Sequence, residues 1–353
     1  MMEYRYLGRS GLSVSVLTLG TMTFGGKERF AKVGTSGVKE AAEMIHLCLD
    51  HGVNLIDTAN IYSFGVSEQI IGEVLKGKRP NDLMIASKAR MPVGEGPNDS
   101  GFSRFHIMRE CEKSLKRLQT DVIDIYLMHE WDGTTPMEEM LEALSHLMQQ
   151  GKIRYAGCSN FSGWHIMKAL GISRERSLPR FITQQIHYTL EAREAEYELL
   201  PIAVDQGVGV MVWSPLSGGL LSGKYTRDKK PAGVTRMSEG WTEPPVRDEE
   251  RLWNIVDVLN KIAGERQVTA AQVALAWNLT RPGVATLVVG GRTFDQMKEN
   301  LGAASVRLTD DEVERLNSIS EIPLIYPYWH QAKFARGTFS PGDLALFGGR
   351  SDS

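Results

Sequence analysis

Eight short apolar runs recur along the chain, and most of them are followed by a polar loop and an amphipathic stretch of helical period. The runs cover 16–20, 53–57, 83–88, 122–129, 153–160, 180–188, 208–215 and 285–291. Strands that alternate with helices form parallel sheets, because each crossover helix returns the chain to the same edge. The pattern predicts the α/β class and admits a single (β/α)8 TIM barrel or a doubly wound open sheet, and the count of eight favours the barrel.

Several stretches between the runs carry the signals of helix ends. Ser103 is placed to cap the helix that follows it. Thr135 is the expected cap of another, with Pro136 at the first helical position. The predicted helices cover 37–52, 103–118, 135–151, 269–281 and 309–321.

The remaining segments predict additions to one barrel domain that spans 1–353, with its core at about 16–320. The first residues read as a β-hairpin that plugs the bottom of the barrel. A segment rich in proline, glycine and charge, 224–248, predicts a long loop insertion before the last strand, lying over the barrel mouth. The C-terminal tail, 321–353, is expected to fold over the barrel or to be partly disordered.

Composition excludes several classes of function. A net charge of −3 provides no basic field for nucleic acid. No run of about 18 apolar residues predicts a membrane span. Cys48, Cys111 and Cys158 lie far apart and form no metal-type or redox-type pair. We therefore expect a cytoplasmic protein without a metal site and without nucleic-acid or membrane partners.

Polar side chains end the predicted strands, at the rim where the chemistry of such barrels is found. Asp57 ends the second strand, and Tyr62 lies on the loop that follows. Lys88 and His129 end the third and fourth strands. Each residue alone is weak evidence for catalysis, since a single polar residue at a strand end usually has a structural role. Four ionisable types aimed at one mouth predict a catalytic group.

The four side chains together would make a general acid. We expect the ammonium of Lys88 to lower the pKa of the Tyr62 phenol from its ordinary value of about 10. At about 4 Å, with an effective dielectric constant of about 20, the attraction is worth about 4 kcal/mol before offsets, or up to roughly three pH units. Asp57 would hold Lys88 in place, and His129 could donate a hydrogen bond to a carbonyl. Such a group protonates a carbonyl oxygen while a cofactor delivers hydride to the carbon.

Seven motifs give the chain a resemblance to the aldo-keto reductase superfamily. They are "GTMTFGG", "NLIDTANIYSFGVSEQIIGEVL", "ASKA", "DIYLMH", "GCSNFS", "WSPLSGGLLSGKY" and "GGRTFDQMKENLGA", in order over roughly residues 4–320. The chain is most similar to the branch of bacterial reductases related to potassium-channel β subunits. The resemblance implies a (β/α)8 barrel without a Rossmann motif, which binds NADPH/NADP+ in an extended pose. It also implies the catalytic tetrad Asp57, Tyr62, Lys88 and His129.

The same resemblance implies a set of cofactor contacts. Ser159, Asn160 and Gln185 would bind the nicotinamide, with Trp213 stacked on its ring. Arg292 precedes a predicted helix, whose N-terminus suits an anion, and it favours NADPH over NADH by binding the extra phosphate. The remaining contacts are Gly20, Thr21, Met22, Asp57, Ser214, Pro215, Leu216, Gly218, Lys224, Gly291, Gln296, Glu299 and Asn300.

The predicted function is NADPH-dependent reduction of an aldehyde or ketone, with Tyr62 as the general acid and alcohol oxidation as the reverse reaction. Small aldehydes, keto-sugar-like compounds and cyclic ketones all remain open as substrates. One alternative is an NADPH-binding, redox-sensing module that resembles a channel β subunit and turns over slowly. A second is a nucleotide hydrolase, since "GGLLSGKY" resembles a P-loop, although Tyr225 replaces the hydroxyl residue that would hold magnesium.

Aromatic residues on predicted loops and on the tail are the candidates for walls of the substrate pocket. An open mouth with such residues would suit a bulky ketone as well as a small aldehyde. The candidates are Phe24, Phe64, Trp131, Trp241, Tyr328 and Trp329.

Overall fold

A closed barrel of eight parallel strands forms the centre of the computed structural model, which describes residues 1–227 and 243–348. The barrel strands are β3 (Leu17–Gly20), β4 (Leu55–Asp57), β5 (Met84–Ala89), β6 (Ile123–Met128), β7 (Ile153–Ser159), β8 (Phe181–His187), β9 (Gly209–Trp213) and β10 (Val284–Val289). They pair in chain order, and β10 closes the barrel against β3. Each strand lies within about one residue of a predicted apolar run, so the TIM barrel prediction is confirmed.

Helices surround the barrel. They are α1 (Val38–Asp50), α2 (Val66–Leu75), α3 (Arg104–Leu118), α4 (Met137–Gln149), α5 (Gly163–Glu175), α6 (Leu199–Gln206), α7 (Glu249–Arg266), α8 (Ala270–Leu279), α9 (Phe294–Leu301), α10 (Asp310–Ser320), α11 (Tyr328–Phe334) and α12 (Pro341–Phe347). Short 3-10 turns lie at Glu28–Lys32, Tyr62–Gly65, Glu194–Glu196, Ser217–Ser222, Gly302–Ser305 and Arg336–Thr338.

Two predicted helix caps have different outcomes. Ser103 caps α3 by accepting a hydrogen bond from the backbone N–H of His106. Thr135 does not cap α4, whose cap position is occupied by Pro136. The Thr135 hydroxyl donates instead to the carboxylate of Asp132 at 2.6 Å. A charged carboxylate within reach is a stronger acceptor than a neutral one, so it takes the hydroxyl that the sequence pattern assigned to the helix.

The N-terminal hairpin closes one end of the barrel, as predicted. Its strands, β1 (Tyr4–Tyr6) and β2 (Ser13–Ser15), pair in antiparallel fashion. Leu7 and Val14 are completely buried and pack with the inward-facing Leu55, Ile125 and Met211 of the barrel. With this end filled by apolar side chains, the polar strand ends at the opposite rim are left to form a site.

The tail packs on the helical wall of the barrel. Helix α12 packs against α6, and the ring of Tyr328 stacks on Tyr197 with centroids 5.3 Å apart. The described part of the tail therefore folds back on the outside of the barrel. The central part of the insertion, 228–242, lies outside the described residues.

Two helical glycines differ in the space around them and yield a prediction about stability. A Cβ at Gly72 would overlap the backbone of α3 and lie 2.8 Å from the carbonyl carbon of Leu118, whereas one at Gly171 would meet nothing within 4 Å. We expect Gly72→Ala to lower the free energy of unfolding by about 1–3 kcal/mol. Gly171→Ala should raise it by up to about 1 kcal/mol, because alanine restricts the unfolded chain. Urea denaturation measures both, and equal stability of the two variants would contradict the packing described.

Candidate active site

A cavity of about 600 Å³ opens where the barrel strands end. Its wall brings together three members of the predicted tetrad, Asp57, Tyr62 and His129, and Lys88 lies buried behind them. The predicted cofactor contacts also share this wall. They are Gly20, Thr21, Met22, Asp57, Ser159, Asn160, Gln185, Trp213, Ser214, Pro215, Leu216, Gly218, Lys224, Gly291, Arg292, Gln296, Glu299 and Asn300.

The ammonium of Lys88 is the centre of the hydrogen-bond network below the cavity. Its Nζ donates to Asp57 Oδ2 at 2.7 Å and to the carbonyl oxygen of Thr58 at 2.9 Å. It also lies 3.3 Å from the phenolic oxygen of Tyr62. The Lys88 side chain is completely buried, so these three oxygens replace the water that an exposed ammonium would bind.

Strand register and a sharp turn place these three side chains together. Asp57 pairs with Ala86 across β4 and β5, and Lys88 lies two residues further on, so its side chain points to the same barrel interior. Tyr62 begins a 3-10 turn in which Ser63 and Phe64 take positive φ angles of 49° and 53°. This tight reversal returns the phenol from the loop to the end of its own strand.

The other oxygen of Asp57 is also hydrogen bonded. Gln185, on β8, donates from Nε2 to Asp57 Oδ1 at 2.7 Å. The carboxylate therefore binds the ammonium through one oxygen and an amide through the other. A buried ion pair stabilises a protein only when its remaining valences are satisfied in this way.

His129 and Trp213 are held on opposite sides of Asn160. The Asn160 amide donates to the carbonyl oxygen of His129 at 3.3 Å, and its oxygen accepts from Trp213 Nε1 at 2.9 Å. The ring of His129 meets that of Tyr62 edge to face, with centroids 5.8 Å apart. Asn160 has a φ of 57° and Ser214, next to Trp213, a φ of 49°. Positive φ at residues other than glycine carries strain and is concentrated at functional sites.

The protonation of the central pair differs from the sequence-based expectation. Burial raises the pKa of the Tyr62 phenol above its ordinary value, and the opposing charge of Lys88 does not cancel this effect. Burial alone would lower the pKa of Lys88, but Asp57 and Tyr62 reverse this, so the ammonium pKa is raised. The expected net lowering for Tyr62 is therefore corrected, because desolvation of the phenolate outweighs the attraction to the ammonium. At neutral pH the phenol is protonated and the lysine is charged.

Five of the predicted pocket aromatics do not line the cavity. Phe24 is completely buried in the core, and Phe64 packs edge-on against Phe30. Trp131 stacks on His165 with centroids 3.6 Å apart. Tyr328 and Trp329 belong to the tail on the outer wall, and Trp241 lies outside the described residues. The described rings bury their area against other side chains instead of facing the cavity, which corrects this part of the prediction.

Other side chains, which the sequence reading missed, line the cavity instead. They include Thr23, Phe30, Ile61, Met91, Glu130, Tyr225 and Glu243. Glu130 had a usable signal, since it directly follows His129 at the end of β6.

Comparison with known proteins identifies the family. A model described as the Aldo/keto reductase family matches residues 16–321. The chain belongs to the aldo/keto reductase family. It is 39% identical over 328 residues to YrpG, an uncharacterized oxidoreductase of Bacillus subtilis (strain 168). The aligned residues cover 90% of this chain and 96% of the relative.

Two plant relatives carry a different name. A probable voltage-gated potassium channel subunit beta of Arabidopsis thaliana is 36% identical over 310 residues, covering 86% of this chain and 92% of its own. One of the same name from Oryza sativa subsp. japonica is 35% identical over 325 residues, covering 90% and 96%. The match to the predicted branch of the aldo/keto reductases is thereby confirmed, and the family supports oxidoreductase activity.

The rest of the cavity fits the nicotinamide cofactors that aldo/keto reductases generally use. Lys224 and Arg292 contribute two cations, which suit phosphate groups. Gly219, in the Ser217–Ser222 turn, has a φ of 102°, and a Cβ there would meet nothing within 4 Å, so the backbone is open to a ligand. The indole of Trp213 is fixed by Asn160 and offers a flat face to an aromatic ring. The donors and the ring thus match a dinucleotide.

Within the described ranges, two kinds of feature are not found. No group of three or more histidine, cysteine, aspartate or glutamate side chains in them could hold a metal ion. No helix in them has the length and hydropathy needed to cross a bilayer. The P-loop-like segment also departs from a nucleotide hydrolase, because Gly223 ends the Ser217–Ser222 turn in a left-handed conformation where a P-loop would begin a helix.

Proposed function

We propose that the protein is an NADPH-dependent carbonyl reductase, which reduces an aldehyde or ketone to the alcohol. The observation that carries this proposal is the contact between the buried ammonium of Lys88 and the phenol of Tyr62, whose ring lines the cavity beside His129. Membership of the aldo/keto reductase family supports the same reaction class. The expected substrate is a small carbonyl compound, and the expected location is the cytoplasm.

Tyr62 is the proposed general acid. Its phenol carries a proton at neutral pH and faces the space where a substrate oxygen would lie. As the carbonyl oxygen gains negative charge, the phenol transfers its proton and a new O–H bond forms. The phenolate that remains lies 3.3 Å from the Lys88 ammonium, which stabilises it. Asp57 keeps that ammonium charged and oriented.

Two further groups complete the proposed chemistry. His129 is placed beside Tyr62 to donate a hydrogen bond to the carbonyl oxygen and to fix its position. Bound NADPH supplies the hydride that adds to the carbonyl carbon. In alcohol oxidation Tyr62 must accept a proton as phenolate. Because burial raises its pKa, the phenol is protonated at neutral pH, which is the form that reduction uses.

The proposed cofactor contacts follow the cavity wall. Ser159, Asn160 and Gln185 would bind the nicotinamide amide, with Trp213 against its ring. The groups proposed for the phosphates and adenosine are Ser214, Pro215, Leu216, Gly218, Lys224, Gly291, Arg292, Gln296, Glu299 and Asn300, and Gly20, Thr21 and Met22 would line the reacting end.

The two plant relatives favour a second candidate, an NADPH-binding redox-sensing module with slow turnover. Both candidates use the same cavity and the same four side chains, so they differ in rate. Single-turnover oxidation of bound NADPH by a panel of aldehydes, keto-sugars and cyclic ketones separates them. Rapid loss of absorbance of the reduced cofactor supports the reductase, whereas loss over many minutes with every carbonyl supports the sensor.

Substitution of the proposed acid tests the mechanism. Tyr62→Phe should lower kcat for carbonyl reduction by about 10²–10⁴-fold while leaving the Kd for NADPH within about twofold, since only the proton donor is removed. Tyr126→Phe is the matched control, because Tyr126 is completely buried outside the cavity and its hydroxyl has no hydrogen-bond partner among the described residues. Full turnover by Tyr62→Phe would refute the assignment.

Removal of one cation tests the choice of cofactor. Arg292→Ala should raise the Kd for NADPH at least about tenfold and change that for NADH by less than about threefold, because a charge-assisted bond to the extra phosphate is worth about 1.5–3 kcal/mol. Isothermal titration calorimetry measures both constants. The control is Arg315→Ala, because Arg315 lies on α10 and forms an ion pair with Glu265 of α7. Equal losses for NADPH and NADH would show that Arg292 does not read the phosphate.

A further inference from the structure

Two carboxylates line the cavity near Tyr62, and the mechanism uses neither. Glu130 directly follows His129 at the end of β6, and Glu243 comes from the insertion before β10. The ring of His129 lies 5.8 Å from that of Tyr62, and the Asn160 amide that donates to the His129 carbonyl also bonds to Glu130. Glu130 therefore lies in the same region of the cavity as the phenol, and the charge of Glu243 acts on both side chains. A substrate whose carbonyl reaches Tyr62 must therefore lie beside them.

Glu130 is held in place and keeps acceptor capacity. Its Oε1 accepts a hydrogen bond from the backbone N–H of Trp131 at 2.9 Å. Burial raises the pKa of the Glu130 carboxyl, and the hydrogen bonds from Trp131 and Asn160 and the charge of Arg90 offset that rise only in part. An ionised carboxylate has about four acceptor positions, and these contacts occupy only part of them. The half-buried side chain thus presents a fixed hydrogen-bond acceptor to a ligand.

The charges of the cavity wall are divided between its two regions. Lys224 and Arg292 come from the segments after β9 and β10, and the carboxylate of Glu299 on α9 accompanies them. Near Tyr62 the wall carries Glu130 and Glu243. Behind it the charge of Lys88 is paired with Asp57, and the charge of Arg90 acts on Glu130. With two cations to one carboxylate in the first region and two carboxylates to one unpaired cation in the second, an anionic group is favoured in the first region over the second. The second region instead suits a ligand that donates hydrogen bonds.

We propose that Glu130 is a specificity-determining residue, which selects neutral carbonyl compounds bearing a hydroxyl group close to the carbonyl and discriminates against 2-oxo acids. This inference rests on the proposed reductase function and names its substrate class. A hydroxyl on the carbon next to the carbonyl would donate to the Glu130 carboxylate while the carbonyl oxygen accepts from Tyr62. The carboxylate of a 2-oxo acid at the same position would lie near the negative charges of Glu130 and Glu243.

Ketones of equal size test the proposal. Hydroxyacetone has a hydroxyl group where butanone has a methyl group. Dihydroxyacetone likewise has two hydroxyl groups where 3-pentanone has two methyl groups. Aminoacetone offers a cationic donor, and pyruvate is the anionic member. We expect wild-type kcat/KM to be at least about tenfold higher for each hydroxylated ketone than for its apolar partner, and lowest for pyruvate, because about 1.4 kcal/mol of differential binding is tenfold.

Variants of one side chain separate its hydrogen bond from its charge. Glu130→Leu should bring the hydroxyacetone-to-butanone ratio of kcat/KM to within about twofold of one, mainly by raising KM for hydroxyacetone. Glu130→Gln keeps an acceptor oxygen and should keep most of that ratio, but it should raise kcat/KM for pyruvate relative to butanone at least about tenfold. Circular dichroism and the Kd for NADPH check folding and cofactor binding of each variant.

The outcomes distinguish a failure of the proposed role of Glu130 from a failure of the proposed reductase function. Carbonyl reduction by the wild-type protein with an unchanged ratio in Glu130→Leu would overturn the role of Glu130 and leave the reductase function standing. A preference for aminoacetone over hydroxyacetone that Glu130→Leu removes would show that the carboxylate selects cations, and would also overturn the stated class. Absence of turnover with every ketone and aldehyde would refute the reductase function and this inference with it.

Discussion

The buried ammonium of Lys88 is the interaction on which the rest of the site depends. Removing a charged lysine from water costs several kcal/mol, and only close opposite charge and hydrogen bonds offset such a cost. Asp57, the carbonyl of Thr58 and Tyr62 supply those partners within 3.3 Å, and Gln185 completes the shell of Asp57. Burial thus makes proton loss from the phenol unfavourable until a substrate oxygen takes the proton, and the ammonium limits the cost of that step.

The barrel makes this arrangement possible by bringing distant segments to one rim. Parallel strands all end at the same side, so residues more than a hundred positions apart, such as Asp57 and Gln185, come within hydrogen-bond distance. The hairpin fills the opposite end with apolar side chains, which leaves one open mouth. Because different strand ends carry different charges, the same cavity holds cations after β9 and β10 and carboxylates near Tyr62. Cofactor and substrate preferences can then be set on separate parts of one wall.

The sequence predicted what depends on periodicity and failed where tertiary contacts decide. The apolar runs gave every barrel strand, and reading their last residues gave Asp57, Lys88 and His129, because strand ends share a rim by topology alone. The partner of Thr135 and the places of the loop aromatics depend on which surfaces meet, which no local pattern encodes. The pKa of Tyr62 was misjudged for a related reason: its attraction to Lys88 could be estimated from residue types, but its burial could not.

The protonation of Tyr62 is the property that tests this account most directly. Carbon-13 NMR of protein labelled at the Cζ of tyrosine follows each phenol during a pH titration, and Tyr62→Phe identifies the resonance. We expect Tyr62 to stay protonated beyond the ordinary phenol pKa of about 10, and Lys88→Met to move its midpoint higher still, since the stabilising cation is lost. A midpoint below about 9, or one that Lys88→Met leaves unchanged or lowers, would contradict the account.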